Sequence, residues 1–226
     1  MTSQSAQSWQ PLWNDIFASR SWGAYPSENL IRFIARNYYQ VADRSKIKIL
    51  DLGAGAGANT RYLSREGFDT YAIDGSAVAI EIIRKSMESE NLPVSLAVGD
   101  VGDIPFEDGY FDCIVDINCV MCNTYDVSKN ILAHVAKKLK PGGRVFSMGA
   151  KQGSWGEGLG RKLSEDTYED ATEGPYANMG IVRYLRAEQI EDLFSPFTSI
   201  EVNSCGLTRN NGKDEITFWL IDGIKK

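Results

Sequence analysis

The stretch Ile47-Lys48-Ile49-Leu50-Asp51-Leu52-Gly53-Ala54-Gly55-Ala56-Gly57-Ala58-Asn59-Thr60 decides the fold, because an apolar run breaks there into alternating glycines and then into a helical pattern. It predicts a strand, a tight turn and the first turn of a helix. Glycine is needed at such a junction: the backbone turns sharply, enters φ/ψ regions closed to other residues, and leaves its amides open to a ligand. Nucleotide-like cofactors bind at junctions of this kind.

Spacing separates the cofactor classes. A dinucleotide fold uses G-x-G-x-x-G, with the third glycine inside the helix and the helix N-terminus facing a pyrophosphate. Here the spacing is G-x-G-x-G, with Asp51 at the strand's end. This pattern resembles motif I of the class I S-adenosylmethionine-dependent methyltransferases, whose loop cradles the methionine end of a cofactor that has no pyrophosphate. Three further segments extend the resemblance in family order. Phe68-Asp69-Thr70-Tyr71-Ala72-Ile73-Asp74 reads as a second strand ending in a carboxylate about 20 residues after the glycine turn, the offset at which an acid accepts from both ribose hydroxyls. Val98-Gly99-Asp100-Val101 closes a third strand, and Gly109-Tyr110-Phe111-Asp112-Cys113-Ile114-Val115-Asp116-Ile117 supplies a fourth.

The resemblance implies a cofactor site made of Asp51, Gly53, Ala54, Gly55 and Gly57 from the loop, with Asp74, Gly75 and Ser76 at the ribose. It puts Asp100 on the adenine amino group, the Val101 amide on the ring nitrogen, and the main chain of Asp116 and Ile117 on the methionine ammonium. Asp103 reads as a turn residue and Ser76 opens a helix. Leu132 to Leu139 reads as a helix with a basic last turn, stopped by Pro141-Gly142-Gly143 ahead of a fifth strand.

The 226 residues suffice for one well-buried α/β domain and fall short of two. The expected fold is a Rossmann-like, mostly parallel seven-stranded sheet with helices on both faces and an antiparallel C-terminal hairpin. Alternating strands and helices specify the parallel part. The hairpin pairs 199–205 with 215–221 across Asn210-Asn211-Gly212. A single domain over 1–226 carries an N-terminal lid segment over about 1–40 and a substrate-cap insertion over about 151–185. The lid segment is dense in aromatic residues, Trp9, Trp13, Phe17, Trp22 and Tyr25, and continues into a helix over Glu28 to Tyr39 that packs on the sheet.

A formal charge of −6 disfavours a nucleic-acid partner, since such binding is driven by Lys and Arg. No run of about 18 apolar residues exists to cross a membrane. Met1-Thr2-Ser3-Gln4-Ser5 has neither the basic nor the apolar region of a secretory signal, which points to the cytoplasm. Four cysteines make no disulfide scaffold in a chain of this length, and Cys119-Val120-Met121-Cys122 with one histidine in the chain makes no zinc site, so no metal is expected; a thiol on the pocket wall is consistent with the pair.

The expected activity is methyl transfer from S-adenosyl-L-methionine to a small molecule, chiefly to oxygen on a polar ring such as a sugar or phenol, less so to nitrogen. The alternatives are a nicotinamide-dependent oxidoreductase on the same sheet, and a non-catalytic cofactor-binding module. Spacing assigns no general base. The candidates are Tyr125 and Asp126 after the fourth strand, Glu169, Asp170, Glu173 and Tyr176 in the cap, and His134. Trp22, Tyr25 and Pro26 are the preferred lid residues, and Trp155, Tyr168, Glu173, Tyr176 and Arg183 the candidate acceptor pocket, with Arg183 available for an acidic group. The acceptor's identity and the oligomeric state are not legible.

Overall fold

The computed structural model of the chain describes residues 9–226, so the first eight residues of the predicted lid and the stretch read for a secretory signal lie outside it. Chain order begins with helix α1 (Leu12–Ser19) and helix α2 (Glu28–Tyr38), then strand β1 (Lys48–Leu52), α3 (Ala58–Arg65), β2 (Asp69–Asp74), α4 (Ala77–Ser89), β3 (Ser95–Val98) and β4 (Phe111–Ile117). Helix α5 (Tyr125–Lys138) leads into β5 (Leu139–Ala150), and three short strands follow: β6 (Arg161–Lys162), β7 (Thr167–Glu169) and β8 (Ile181–Arg183). The chain closes with α6 (Ile190–Leu193), β9 (Phe197–Arg209) and β10 (Asp214–Lys225).

The main sheet has seven strands in the order β3-β2-β1-β4-β5-β10-β9. The first five run parallel, and β10 enters antiparallel to β5 and to β9, which bears out the expected sheet and hairpin. Asn210, Asn211 and Gly212 all have positive φ, the conformation that tight reversals demand and that asparagine and glycine tolerate best. The three-stranded sheet β6-β7-β8 lies in the 151–185 insertion. Strands of two or three residues are too short to impose an alternation on the sequence, so no period announces them.

Alternation within the long strands sorts the helices onto two faces. Ile49, Cys113, Val115 and Phe146 face α2 and α3, burying Leu30, Phe33, Ile34 and Leu63, while Ala72 on the same face meets Ile80 and Ile83 of α4. Leu50, Ile114 and Val145 point the other way, onto Ile131, Leu132 and Val135 of α5 and Leu193 of α6. The 151–185 insertion is fastened to β10: Lys151 N donates to Thr217 O at 3.0 Å, Trp155 N to Glu215 O at 2.7 Å, and Trp219 Nε1 to Leu185 O at 2.7 Å.

One boundary differs from the sequence reading. Helix α5 ends at Lys138, before Pro141-Gly142-Gly143, because Leu139 already pairs with Phe111 of β4. The Pro-Gly-Gly segment instead forms an irregularity within β5, where the register shifts before Arg144 meets Cys113. Strand pairing therefore terminates the helix, and the proline follows it.

Phe33 of α2 stacks on Phe146 of β5 with ring centres 4.6 Å apart, and both are buried. Phe33→Ala is expected to lower unfolding free energy in urea by about 3–5 kcal/mol, the range for removing a core aromatic ring.

Candidate functional site

Parallel strands end together, so β1, β2 and β4 bring Asp51, Asp74 and Asp116 to one rim. Each carboxylate is buried, and each accepts hydrogen bonds from the segments that follow the strands or pack beside them. Asp51 accepts a hydrogen bond from Thr60 Oγ1 of α3 at 2.6 Å, and its other oxygen has no partner. Burial pushes its carboxyl up to about 6, opposed by hydrogen bonds from Thr60 and Asn59. Asp74 accepts from the Gly55 amide at 2.9 Å and from the Ser76 amide at 2.8 Å, tying the glycine loop to the end of β2. Burial raises it too, against those two amides.

Asp116 has both oxygens engaged: one accepts from the Cys119 and Val120 amides at 2.9 and 3.0 Å, the other from Ser147 Oγ at 2.6 Å. Its side chain therefore shapes the turn that follows β4, while Ile117 and Asn118 continue to the cavity. Gly53 shows why the loop carries glycine. Its φ is +64°, and a Cβ there would run into the Cys119 side chain.

These elements enclose a cavity of about 290 Å³. One wall is the glycine loop from Gly53 to Asn59 with Asp74, Gly75 and Val101; the facing wall is Ile117, Asn118, Cys119, Cys122 and Asn123. Trp9, Trp13, Phe17 and Trp22 roof it from the N-terminal segment, and Pro175, Tyr176 and Met179 come from the 151–185 insertion. Trp13, Phe17 and Trp22 form a run of ring contacts with centres 5.6 and 5.2 Å apart. Helix α1 is pinned to the rim because Ser76 Oγ, the N-cap of α4, donates to Asn14 Oδ1 at 2.7 Å. A Cβ on Gly75 would strike the Trp9 ring, so the close approach of the roof depends on that glycine.

The sequence candidates divide accordingly. Gly53, Ala54, Gly55, Asp74, Gly75, Val101 and Ile117 line the cavity. Asp51, Gly57, Ser76 and Asp116 stand behind its wall and hold the loops. Asp100 sits at the mouth of β3 with one oxygen accepting from the Gly102 amide at 2.7 Å, outside the lining; Asp103 is in the turn, its amide donating to Asp100 O. Among the lid residues Trp22 reaches the cavity and Tyr25 does not, being 83% exposed.

Of the base candidates, Tyr176 alone reaches the wall, with its hydroxyl 3.3 Å from Asn118 Oδ1. Tyr125 donates to Asp192 at 2.6 Å, Asp126 and Glu173 are exposed, and His134 lies mid-helix in α5. Glu169 and Asp170 lie outside the lining, in β7 and just after it. Trp155 docks on β10 and Tyr168 packs edge-on against Tyr184, both away from the cavity. Arg183 is wholly buried outside the lining, so an acceptor's acidic group does not meet it there.

Asn118, Asn123, Pro175 and Met179 line the cavity unannounced. Position just past the fourth strand was the available signal for the first two. Among the described residues no cluster of three or more His, Cys, Asp or Glu side chains suits a metal, and no helix is long and apolar enough to cross a membrane.

An open α/β sheet with this strand order, a glycine turn after β1 and an acid at the end of β2 defines a Rossmann-like fold of the kind that binds nucleotide-like cofactors. Residues 49–143 match the family model described as a methyltransferase domain. The chain is 36% identical over 99 residues, 43% of its length, to the demethylmenaquinone methyltransferase of Tropheryma whipplei (strain Twist), and 32% identical over 107 residues, 46% of its length, to the probable S-adenosyl-L-methionine-dependent methyltransferase TehB of Haemophilus influenzae. The matched segments span 39% and 37% of those proteins, so the chain aligns with about two fifths of the curated relatives' length.

In three dimensions it superposes on a methyltransferase from Methanosarcina mazei with a TM-score of 0.68 at 20% identity, covering 85% of this chain and 96% of that one. It superposes on the TehB structure with a TM-score of 0.64, also at 20% identity, covering 95% of this chain and 67% of that one. Over residues 49–143 the chain is similar to the S-adenosylmethionine-dependent methyltransferases, and it shares their fold.

The perturbed carboxyl of Asp51 makes a stability prediction. A group whose pKa is raised by folding costs nothing below its unfolded value, near 4, and destabilises progressively as pH rises through its folded value of about 6. Relative to Asp51→Asn, the parent should therefore lose on the order of 3 kcal/mol of unfolding free energy between about pH 4 and about pH 7. Paired urea titrations across that range measure the difference.

Proposed function

We propose that the chain is an S-adenosylmethionine-dependent methyltransferase acting on a small, uncharged ring, by O-methylation of an acidic hydroxyl of phenol type. One observation carries the reading: the glycine loop, the Asp74 rim and a predominantly aromatic roof enclose a single cavity. The donor set suits the cofactor. Asp74 is a carboxylate on the wall with acceptor capacity beyond its two amide partners, as a pair of ribose hydroxyls requires, and the loop backbone beside it carries no side chain beyond alanine from Gly53 to Ala58. Gly53, Ala54, Gly55, Gly57, Asp74, Gly75 and Ser76 hold or back the sugar and methionine portions, Asp100 and Val101 the adenine, and the main chain at Asp116 and Ile117 the ammonium. Residues 151–185, through Pro175, Tyr176 and Met179, cap the acceptor side, with Trp22 and its neighbours as the lid.

When bound, S-adenosylmethionine supplies a methyl group already activated on a sulfonium sulfur. What remains to the protein is alignment, exclusion of water and management of the acceptor's proton. Trp9, Trp13, Phe17 and Trp22 exclude water from the roof side.

The proton decides between acceptors. The titratable side chains on the wall are Asp74, Cys119, Cys122 and Tyr176. Burial pushes both thiols and the Tyr176 hydroxyl upward, so all three are neutral at physiological pH and none is a ready base. Asp74 is committed to two amides. An acceptor that ionises by itself suits this wall; a sugar alcohol, which needs a strong base, does not. Among the described residues the wall carries no Lys, Arg or His, which favours an acceptor whose hydroxyl is its one ionisable group over an acceptor that also carries a carboxylate or phosphate.

Calorimetry with S-adenosylhomocysteine tests the reading: the parent binds, and Asp74→Asn weakens binding by about 1.5–3 kcal/mol, roughly 10- to 100-fold. Absence of binding by the parent at high micromolar cofactor product would refute it. With a panel of phenols of graded acidity, turnover should rise with pH in step with each phenol's own ionisation, and Tyr176→Phe should cost less than about tenfold. A loss of 10²–10⁴, the usual contribution of a general base, would make Tyr176 the base instead.

A further inference from the structure

Asn118 is the first residue after β4, and it lies on the cavity wall that faces the glycine loop. Its φ is +63°, in the left-handed region. Its main chain is already held on both sides: the amide donates to Met148 O at 2.8 Å, and the carbonyl accepts from Cys122 Sγ at 3.2 Å. Glycine would take that conformation at lower cost. What asparagine adds is its side-chain amide.

That amide is half used. Its Oδ1 accepts from the Tyr176 hydroxyl, which comes from the 151–185 insertion, at 3.3 Å. Burial keeps this hydroxyl protonated, so it has a hydrogen to give, and a carbonyl oxygen is its match. Asn118 Nδ2, which carries two N–H donors, has no partner among the described residues, and unlike the orphan nitrogens of Arg183 it is not closed off from open space. On the same wall Asn123 spends its Nδ2 on Cys119 O at 3.4 Å, and Cys122 spends its thiol on Asn118 O. The free side-chain N–H donors of this wall are therefore those of Asn118.

We propose that Asn118 Nδ2 donates to the reacting oxygen of the acceptor, and that Tyr176 is a positioning residue that fixes the amide so that its donors, not its oxygen, meet the acceptor. The assignment rests on the methyltransferase reading above, in which the main chain of Asp116 and Ile117 holds the methionine ammonium and the insertion caps the acceptor side. Asn118 follows Ile117 and bonds to the insertion, so it stands between the two. An ionised hydroxyl only accepts, and so matches two N–H donors. An amine brings N–H groups of its own and needs an oxygen to receive them, but Oδ1 is taken. The amide thereby selects oxygen over nitrogen. In the transfer the hydroxyl proton first leaves to solvent; the oxygen lone pair then forms the O–C bond, and the C–S bond breaks with its electron pair staying on sulfur. A charge-assisted bond to the oxygen favours the ionised acceptor and moves the first step to lower pH in the complex. The offset is common to a series of phenols, so turnover keeps step with their own ionisation.

The test uses 4-nitrophenol, whose ionised form is coloured, titrated by absorbance while bound to protein saturated with S-adenosylhomocysteine. The bound phenol should ionise about one pH unit lower in the parent than in Asn118→Gly, roughly a tenfold difference in its ionisation constant. Glycine keeps the left-handed backbone, so the affinity of this variant for S-adenosylhomocysteine should stay within about threefold of the parent's. The titratable groups around the probe are Asp51 and Asp74 at the glycine loop, Asp116, Cys119 and Cys122 at and after the end of β4, and Tyr184 beside Tyr176 on the insertion. They are common to both proteins and cancel in the comparison. In Tyr176→Phe the amide is free to turn its oxygen toward the acceptor, so the displacement should shrink.

Equal ionisation in parent and Asn118→Gly overturns the assignment, and so does a loss of more than about tenfold in S-adenosylhomocysteine affinity in that variant, which would make Asn118 a cofactor ligand. An undiminished displacement in Tyr176→Phe overturns the positioning role. Nitrogen-15 NMR of the parent's side-chain amides reads the same bond without a substitution, and so covers failure of Asn118→Gly to fold: the Asn118 Nδ2 protons should move downfield when ionised 4-nitrophenol binds, and their staying in place overturns the assignment. A parent that binds S-adenosylhomocysteine and no 4-nitrophenol overturns the phenol reading and the Asn118 assignment together, whereas binding of both with no difference in ionisation overturns the assignment alone.

Discussion

Three carboxylates buried side by side at the carboxyl ends of parallel strands govern the organisation of this protein's rim. A buried carboxylate must be satisfied by donors, and here the donors are loop amides together with hydroxyls of α3 and β5. Asp51 takes the Thr60 hydroxyl, Asp74 the Gly55 and Ser76 amides, Asp116 the Cys119 and Val120 amides and the Ser147 hydroxyl. Loops that would otherwise be mobile become walls of fixed shape. Rigid walls are what a transfer reaction needs from a protein whose chief task is alignment.

The rim alone does not make an enclosed site. Enclosure comes from two segments that lie outside the alternating strand and helix pattern. The N-terminal aromatic run is drawn over the rim by ring contacts and by the bond between Asn14 and Ser76, a residue that also caps α4. The 151–185 insertion is fastened to β10 through main-chain bonds, with Leu185 N donating to Ala150 O at 3.0 Å where it rejoins the sheet. From that anchorage Tyr176 and Met179 reach the cavity and Arg183 reaches the back of the wall. One insertion therefore contributes both to the cavity lining and to the packing behind it.

The main sheet was legible because its signals are local and periodic. Apolar runs at β1, β2 and β4, each with an aspartate as its last or next-to-last residue, and an asparagine-glycine reversal near the C-terminus specify strands and hairpin without reference to distant residues. The glycine loop was legible for the same reason: its backbone demands are written in residue type. The stop of α5 was assigned to Pro141-Gly142-Gly143, whereas strand pairing at Leu139 ends the helix ahead of the proline. The three strands of the insertion were silent because each has only two or three residues, too few for an alternation to stand out.

Side-chain roles in the insertion and after β4 depended on packing that sequence spacing does not encode. Arg183 looked like an acceptor-binding cation and is buried outside the cavity lining; Trp155 and Tyr168 looked like pocket walls and pack on β10 and on Tyr184; Asn118 and Met179 carried no signal and line the cavity. What the sequence by itself determined was the parallel sheet, the glycine turn and the acidic strand ends, since backbone conformation and period are properties of neighbouring residues. What only the tertiary structure decided was which aromatic rings roof the cavity and which residues of the insertion reach it, because those contacts join residues tens of positions apart through surfaces that exist only once the sheet is assembled.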